Sequence, residues 1–221
     1  MVELIGRAGM LRRKFYYSPG ALSLASHIAL IEAGLPFEAV RVDEHTKAME
    51  GGGDYRQVHW LGYVPALLLD DGTLLTESAA ILQHVAELAP WRDLAPPAGT
   101  VERALLQAWL NFLSSEVHKS GFAFLFSPAM PEAGKRIFRD RLALRLTHLD
   151  RHLASHEHLL ASGYSVADAS CFVVTSWANW VDVDLMPYPS LRAYRERIGA
   201  RPAVQAALAA EGMVPWPNKA P

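Results

Sequence analysis

Residues 15–33 constrain this chain more than any other stretch. Phe15-Tyr16-Tyr17 reads as a short strand, Ser18-Pro19-Gly20 breaks it, and an apolar helix begins with no spare residue between them. Such a junction leaves the first helical N–H groups unpaired at the positive end of the helix dipole, which favours a bound anion or thiolate. Leu24, Ile28, Ile31 and Leu35 recur at the spacing of one helical face, and Gly34 supplies a C-terminal stop. Residues 37–43 then read as a second strand from their β-branched content and partial alternation. Strand, helix, strand is a βαβ unit, with a right-handed crossover and parallel strands.

The next segment, 44–62, is irregular around Gly51-Gly52-Gly53. It reads as a flexible loop, because no Gly-Lys-Ser/Thr follows the glycines and no strand feeds into them. Residues 64–69 and 73–75, joined by Asp70-Asp71-Gly72, form a hairpin, and a helix follows over 77–89 with Ile81, Leu82, Val85 and Leu88 inward. The Pro/Gly-rich run 90–99 marks a linker. Beyond it the pattern predicts helices over 100–120, 132–160, 166–180, 190–199 and 202–211, no strand, and a tail that frays after Gly212. The fold class is therefore α/β plus all-α: βαβ-ββα over 14–89 with a mixed sheet, a linker at 90–99, and a helical bundle over 100–221. Residues 1–13 lack the apolar core of a signal peptide and are assigned as an arm.

Composition limits function. With 221 residues and 51% hydrophobic content the chain can bury a sizeable core, and a net charge of -2 argues against a nucleic-acid binder. No window reaches the roughly 18 to 20 apolar residues of a membrane span. The single Cys171 excludes an internal disulfide and any CxxC pair, so the cytoplasm is the expected compartment. It falls in an apolar helix, where an inert buried thiol is expected. Ser165 and Asp168 have the spacing of a helix cap. His148, His152 and His156 recur every fourth residue, with His158 close by, beside a leucine stripe. Both they and the basic group Lys135, Arg136, Arg139, Arg141 and Arg145 are read as solvated flanks, with no metal assigned.

Several strings in this order resemble the cytosolic glutathione transferase superfamily, closest to its bacterial beta class. They are Tyr17-Ser18-Pro19-Gly20-Ala21, Ser23-Leu24-Ala25-Ser26-His27-Ile28, Val64-Pro65-Ala66-Leu67, Asp71-Gly72-Thr73-Leu74-Leu75-Thr76-Glu77, Trp109-Leu110-Asn111, Ser115-Glu116-Val117-His118-Lys119-Ser120-Gly121, Ser165-Val166-Ala167-Asp168-Ala169 and Arg201-Pro202-Ala203-Val204. The resemblance implies a thioredoxin-like glutathione domain, a helical domain carrying the electrophile site, and a homodimer. It implies a cis Val64-Pro65 bond, with Val64 pairing to the peptide backbone of glutathione as an added strand. It places Glu77 and Ser78 at the γ-glutamyl end and Lys47, Asn111, His118 and Lys119 along the same site.

Two departures from the family stand out. Leu22 stands where the beta class has cysteine, and His59-Trp60-Leu61-Gly62-Tyr63 replaces the common Asn-Pro-Lys-Gly-Gln. With no thiol at Leu22, which still borders the ligand, a donor to the glutathione sulfur is sought in Ser23 first, Tyr17 second and His118 third. Phe122, Phe124, Phe126 and Trp177 are candidate walls of the electrophile cleft. The expected function is conjugation of glutathione, as co-substrate, to a small hydrophobic electrophile. The alternatives are a non-catalytic ligand-binding or interaction protein of the same fold, and a glutathione-dependent isomerase or peroxidase.

Overall fold

The computed structural model describes residues 13–213. The arm expected at 1–13, Arg13 apart, and the tail from residue 214 lie outside the described residues. Four strands, β1 (Lys14–Tyr17), β2 (Glu38–Arg41), β3 (Ala66–Leu68) and β4 (Leu74–Thr76), form one sheet in the order β2-β1-β3-β4. β1 pairs parallel with β2 and antiparallel with β3, and β3 pairs antiparallel with β4. This is the mixed βαβ-ββα sheet of a thioredoxin-like domain. Alternation along β1 divides the core: Phe15 and Tyr17 face the helices, while Tyr16 joins Val42, Tyr55 and Ala66 on the other face.

Two helices belong to this half, α1 (Ser23–Ala33) and α2 (Ser78–Leu88). The helical half holds α3 (Val101–Asn111), α4 (Glu132–Leu153), α5 (Val166–Ser176), α6 (Pro189–Gly199) and α7 (Pro202–Ala210). α1 is buried almost all round, because α2 packs on it from its own domain and α5 and α7 pack on it from the other. The single apolar stripe read from its sequence is only part of its buried surface. Leu94, in the linker, is also buried, and its carbonyl accepts the Val166 N–H at 2.9 Å.

Three helices differ from the spacing-based reading. The helix expected over 100–120 runs as α to Asn111 and then as a π-helix over Phe112–Lys119. α4 stops at Leu153 rather than at 160, since the chain turns back and the Leu159 N–H donates to Asp168 Oδ1 at 2.9 Å. α5 yields to a 3-10 turn, Trp177–Asn179, just after Thr175 and Ser176 bond back to the Cys171 and Phe172 carbonyls. The Ser165–Asp168 capping box is formed, and Cys171 is fully buried.

Candidate functional site

Register brings the candidate residues together. Tyr16 pairs with Ala66 and Ala66 with Thr76. The chain leaving β1 at Ser18, the chain entering β3 at Val64-Pro65, and the chain leaving β4 at Glu77-Ser78 therefore share one end of the sheet. α1 begins at this end. Leu22 occupies its N-cap and offers no side-chain acceptor. Ala21 N–H is held by the Ser18 carbonyl at 3.1 Å, whereas the Leu22 and Ser23 N–H groups find no backbone acceptor among the described residues. Two donors at the positive end of the helix are thus open.

The Ser23 hydroxyl is not one of them. It is buried, donates to the Ser18 carbonyl at 3.1 Å, and accepts the Ser18 N–H at 3.2 Å. What Ser23 offers the site is its own N–H. Tyr17 lies at the end of β1 with its ring against Phe15 and His27. Burial, reinforced by Glu211 and Glu50, raises its phenol above the usual range, so it stays protonated as a donor. His118, on the π-helix, stands edge-on to Trp177 with ring centroids 4.9 Å apart. Burial, helped by Lys119, pushes its pKa down to about 4, which makes it a neutral imidazole near pH 7.

The peptide bond between Val64 and Pro65 is cis. Glu77, exposed at the N-cap of α2, has φ 67°, and Lys47 has φ 64°; only four non-glycine residues among those described take positive φ. Strained backbone of this kind collects at binding sites. The Ser78 Oγ is buried with no hydrogen-bond partner among the described residues, an arrangement that suits a ligand acceptor. The Lys47 stem covers Gly62, where an added Cβ would stand 3.2 Å from Lys47 Cδ. Lys119 lies over the Tyr63 ring, 5.7 Å from its centroid, and so spans the two domains beside Val64. Asn111 is exposed at the end of α3.

Of the aromatic residues expected in the cleft, Phe122 is fully buried core. Phe126 packs edge-on against Trp177 and Trp180, and Phe124 stacks on Phe138. Trp177 donates from Nε1 to the Gly20 carbonyl at 2.9 Å, so this aromatic wall adjoins the α1 junction. Sequence reasoning missed Glu211. Its carboxylate accepts from the Gly20 N–H and from His27 Nδ1, each at 2.9 Å. No periodicity signals such a pair, since the partners lie 184 and 191 residues apart. Of the histidines on α4, His148 is exposed and His152 half-buried. Among the described residues no group of three or more His, Cys, Asp or Glu is placed to hold a metal ion.

Comparison with known proteins shows the family and the fold. Residues 21–88 match the family model described as glutathione S-transferase, N-terminal domain, and residues 115–211 match the C-terminal domain model. Glutathione S-transferase GstA of Escherichia coli O157:H7 is 43% identical over 200 residues, covering 90% of this chain and 99% of that protein. A solved ternary complex of BphK, a bacterial GST, superposes with TM-score 0.88 at 52% identity, over 90% of this chain and all of that one. A sphingomonad glutathione S-transferase complexed with glutathione gives TM-score 0.88 at 44% identity, over 91% of this chain and all of its own.

Proposed function

Since the chain belongs to the glutathione S-transferase family, we propose that it activates the thiol of glutathione at the start of α1 and transfers it to a small hydrophobic electrophile. The protein is a glutathione transferase, with glutathione as its co-substrate. The observation that carries the proposed mechanism is the pair of open donors, Leu22 N–H and Ser23 N–H, at the same end of the sheet as Val64 and Glu77-Ser78.

A free thiol titrates near about 8.5, so little thiolate exists at neutral pH unless donors stabilise it. The two N–H groups and the α1 dipole supply that stabilisation, with the Tyr17 hydroxyl as a further donor. Glu77 faces the ammonium of the γ-glutamyl end and Ser78 its carboxylate. Val64 pairs with the tripeptide backbone. Lys47, Asn111, His118 and Lys119 line the remainder, His118 as a neutral group because its proton is lost well below pH 7. The thiol releases its proton to solvent, the thiolate forms a C–S bond at the electrophilic carbon against Phe126, Trp177 and Trp180, and the leaving group departs with the electrons of the bond it breaks.

The same proposal includes a homodimer in the cytoplasm, where reduced glutathione is supplied. Support comes from the outer face of α3, where Val101 is 80% and Leu105 53% exposed beside an apolar groove of about 700 Å³ that includes Trp109, Phe112 and His148. No helix among the described residues is long and apolar enough to cross a membrane. Calorimetry with glutathione and a conjugation assay with a generic aryl halide test the reaction. Absence of both binding and turnover would overturn it. Sedimentation of wild type and Leu105→Glu tests the dimer, which the substitution should split.

A further inference from the structure

The Ser18–Leu22 turn is held from outside its own domain. Gly20, at φ 73°, has both backbone groups engaged by the helical half: its N–H by Glu211 Oε2 and its carbonyl by Trp177 Nε1, each at 2.9 Å. Its open side is covered as well, since an added Cβ would stand 2.9 Å from Met213 Cε and collide with Trp180. Glu211 follows the last residue of α7, and its side chain is fully buried. A buried carboxylate requires partners. It finds them in Gly20 and in His27 on the second turn of α1, so a single side chain joins the turn to the helix it precedes.

Resting on the reading that α1 begins at the thiolate site, we propose that Glu211 is a positioning residue for catalysis. By fixing the Gly20 peptide it sets the direction of the next free N–H groups, those of Leu22 and Ser23. Glu211 bonds Gly20 and His27 and makes no hydrogen bond to Glu77, Ser78 or Val64, the residues proposed to hold the tripeptide. Loosening it should therefore disturb thiolate stabilisation far more than tripeptide affinity. Trp177 acts on the same peptide from its other side.

The test compares Glu211→Ala, Glu211→Gln and Trp177→Phe with Arg201→Ala. Arg201 bonds Glu32 at 2.8 Å, linking the start of α7 to α1 without touching the turn. For each variant the glutathione Kd is measured by calorimetry, the titration of the bound thiol by thiolate absorbance, and kcat with an aryl halide. Glu211→Ala should raise the bound thiol's midpoint by about one pH unit and lower kcat about tenfold, with Kd changed less than threefold. Glu211→Gln, which can still accept the Gly20 N–H, should recover most of kcat. Trp177→Phe should follow Glu211→Ala in direction, while Arg201→Ala should lose stability with an unmoved thiol midpoint. If Glu211→Ala keeps the wild-type midpoint and kcat, or matches Arg201→Ala in every readout, the proposal is overturned. A wild type that neither binds nor conjugates glutathione would instead overturn the functional reading beneath it.

Discussion

At the scale of single residues, the proposed site is made of groups whose hydrogen-bonding capacity the fold leaves open, and these differ from groups that are merely polar. Ser78 and Ser23 show the contrast. The Ser78 hydroxyl is buried without a partner, so Ser78→Ala should cost the apo protein little while weakening glutathione binding about tenfold, as read by calorimetry. The Ser23 hydroxyl already bridges Ser18, so Ser23→Ala should lose about 1 to 2 kcal/mol of stability in urea unfolding. Sequence pointed to position 23 correctly as a helix start but could not say that the hydroxyl turns inward, because that depends on how the Ser18–Ala21 turn closes. Glu77 and Lys47 were named through resemblance, and their positive φ was not legible, since neither residue type announces it. His118 adds a pH dependence with a definite sign. Its folded pKa of about 4 lies below the ordinary 6.5, so the unfolded chain binds more protons between those values. Its share of stability falls as pH drops through that window, by at most about 3 kcal/mol. His118→Gln should lose less stability than wild type between pH 7 and pH 4, measured as the shift in urea midpoint.

At the scale of elements, strands, helix starts and the ends of α1, α2, α6 and α7 were readable because local chemistry fixes them, whereas the ends of α3, α4 and α5 were not. Asp-Gly closes the β3–β4 hairpin and Pro202 opens α7, both visible in the sequence. The end of α4 and the π-stretch after α3 answer to distant partners. Asp168 is the clearest instance: it caps α5 through the Ser165 N–H at 2.8 Å, and also takes the Leu159 N–H and the Tyr194 hydroxyl, each at 2.9 Å. The cap was legible from Ser165 and Asp168, but the two long-range bonds were not. They make the residue a junction of α5, α6 and the turn after α4. Asp168→Ala would leave buried donors without acceptors, and the expected loss exceeds the about 1 kcal/mol of a simple cap, reaching about 3 kcal/mol or more. Ser165→Ala, which keeps the carboxylate, should lose only the smaller amount. Chemical denaturation of both variants side by side separates the two roles.

Across the whole molecule, the sequence suggested two domains joined by a linker, and the packing runs one apolar core through both. A single apolar cluster runs from Phe15 and Leu24 in the first half through Leu110 and Val173 to Leu208 in the second. α1 is the shared element, with α5 and α7 on the faces its own sheet and α2 leave uncovered. Polar links reinforce the seam. Arg201 pairs with Glu32 and lies over the Tyr164 ring at 3.6 Å, and Glu211 holds His27 and Gly20. Removing the helical half would expose most of the inner surface of α1 and leave the Gly20 peptide without either partner, a loss that a small four-stranded sheet with two helices is poorly able to absorb. The two halves should therefore unfold together. Urea transitions followed by far-UV dichroism and by tryptophan fluorescence should coincide, and amides of β1 should exchange with the same limiting free energy as those of α5. A fragment spanning 13–99 should show no cooperative melt. Separate transitions, or a fragment that melts sharply, would mean that the seam is a contact between independent domains, and the proposed thiolate site at its edge would then be organised by the first domain alone.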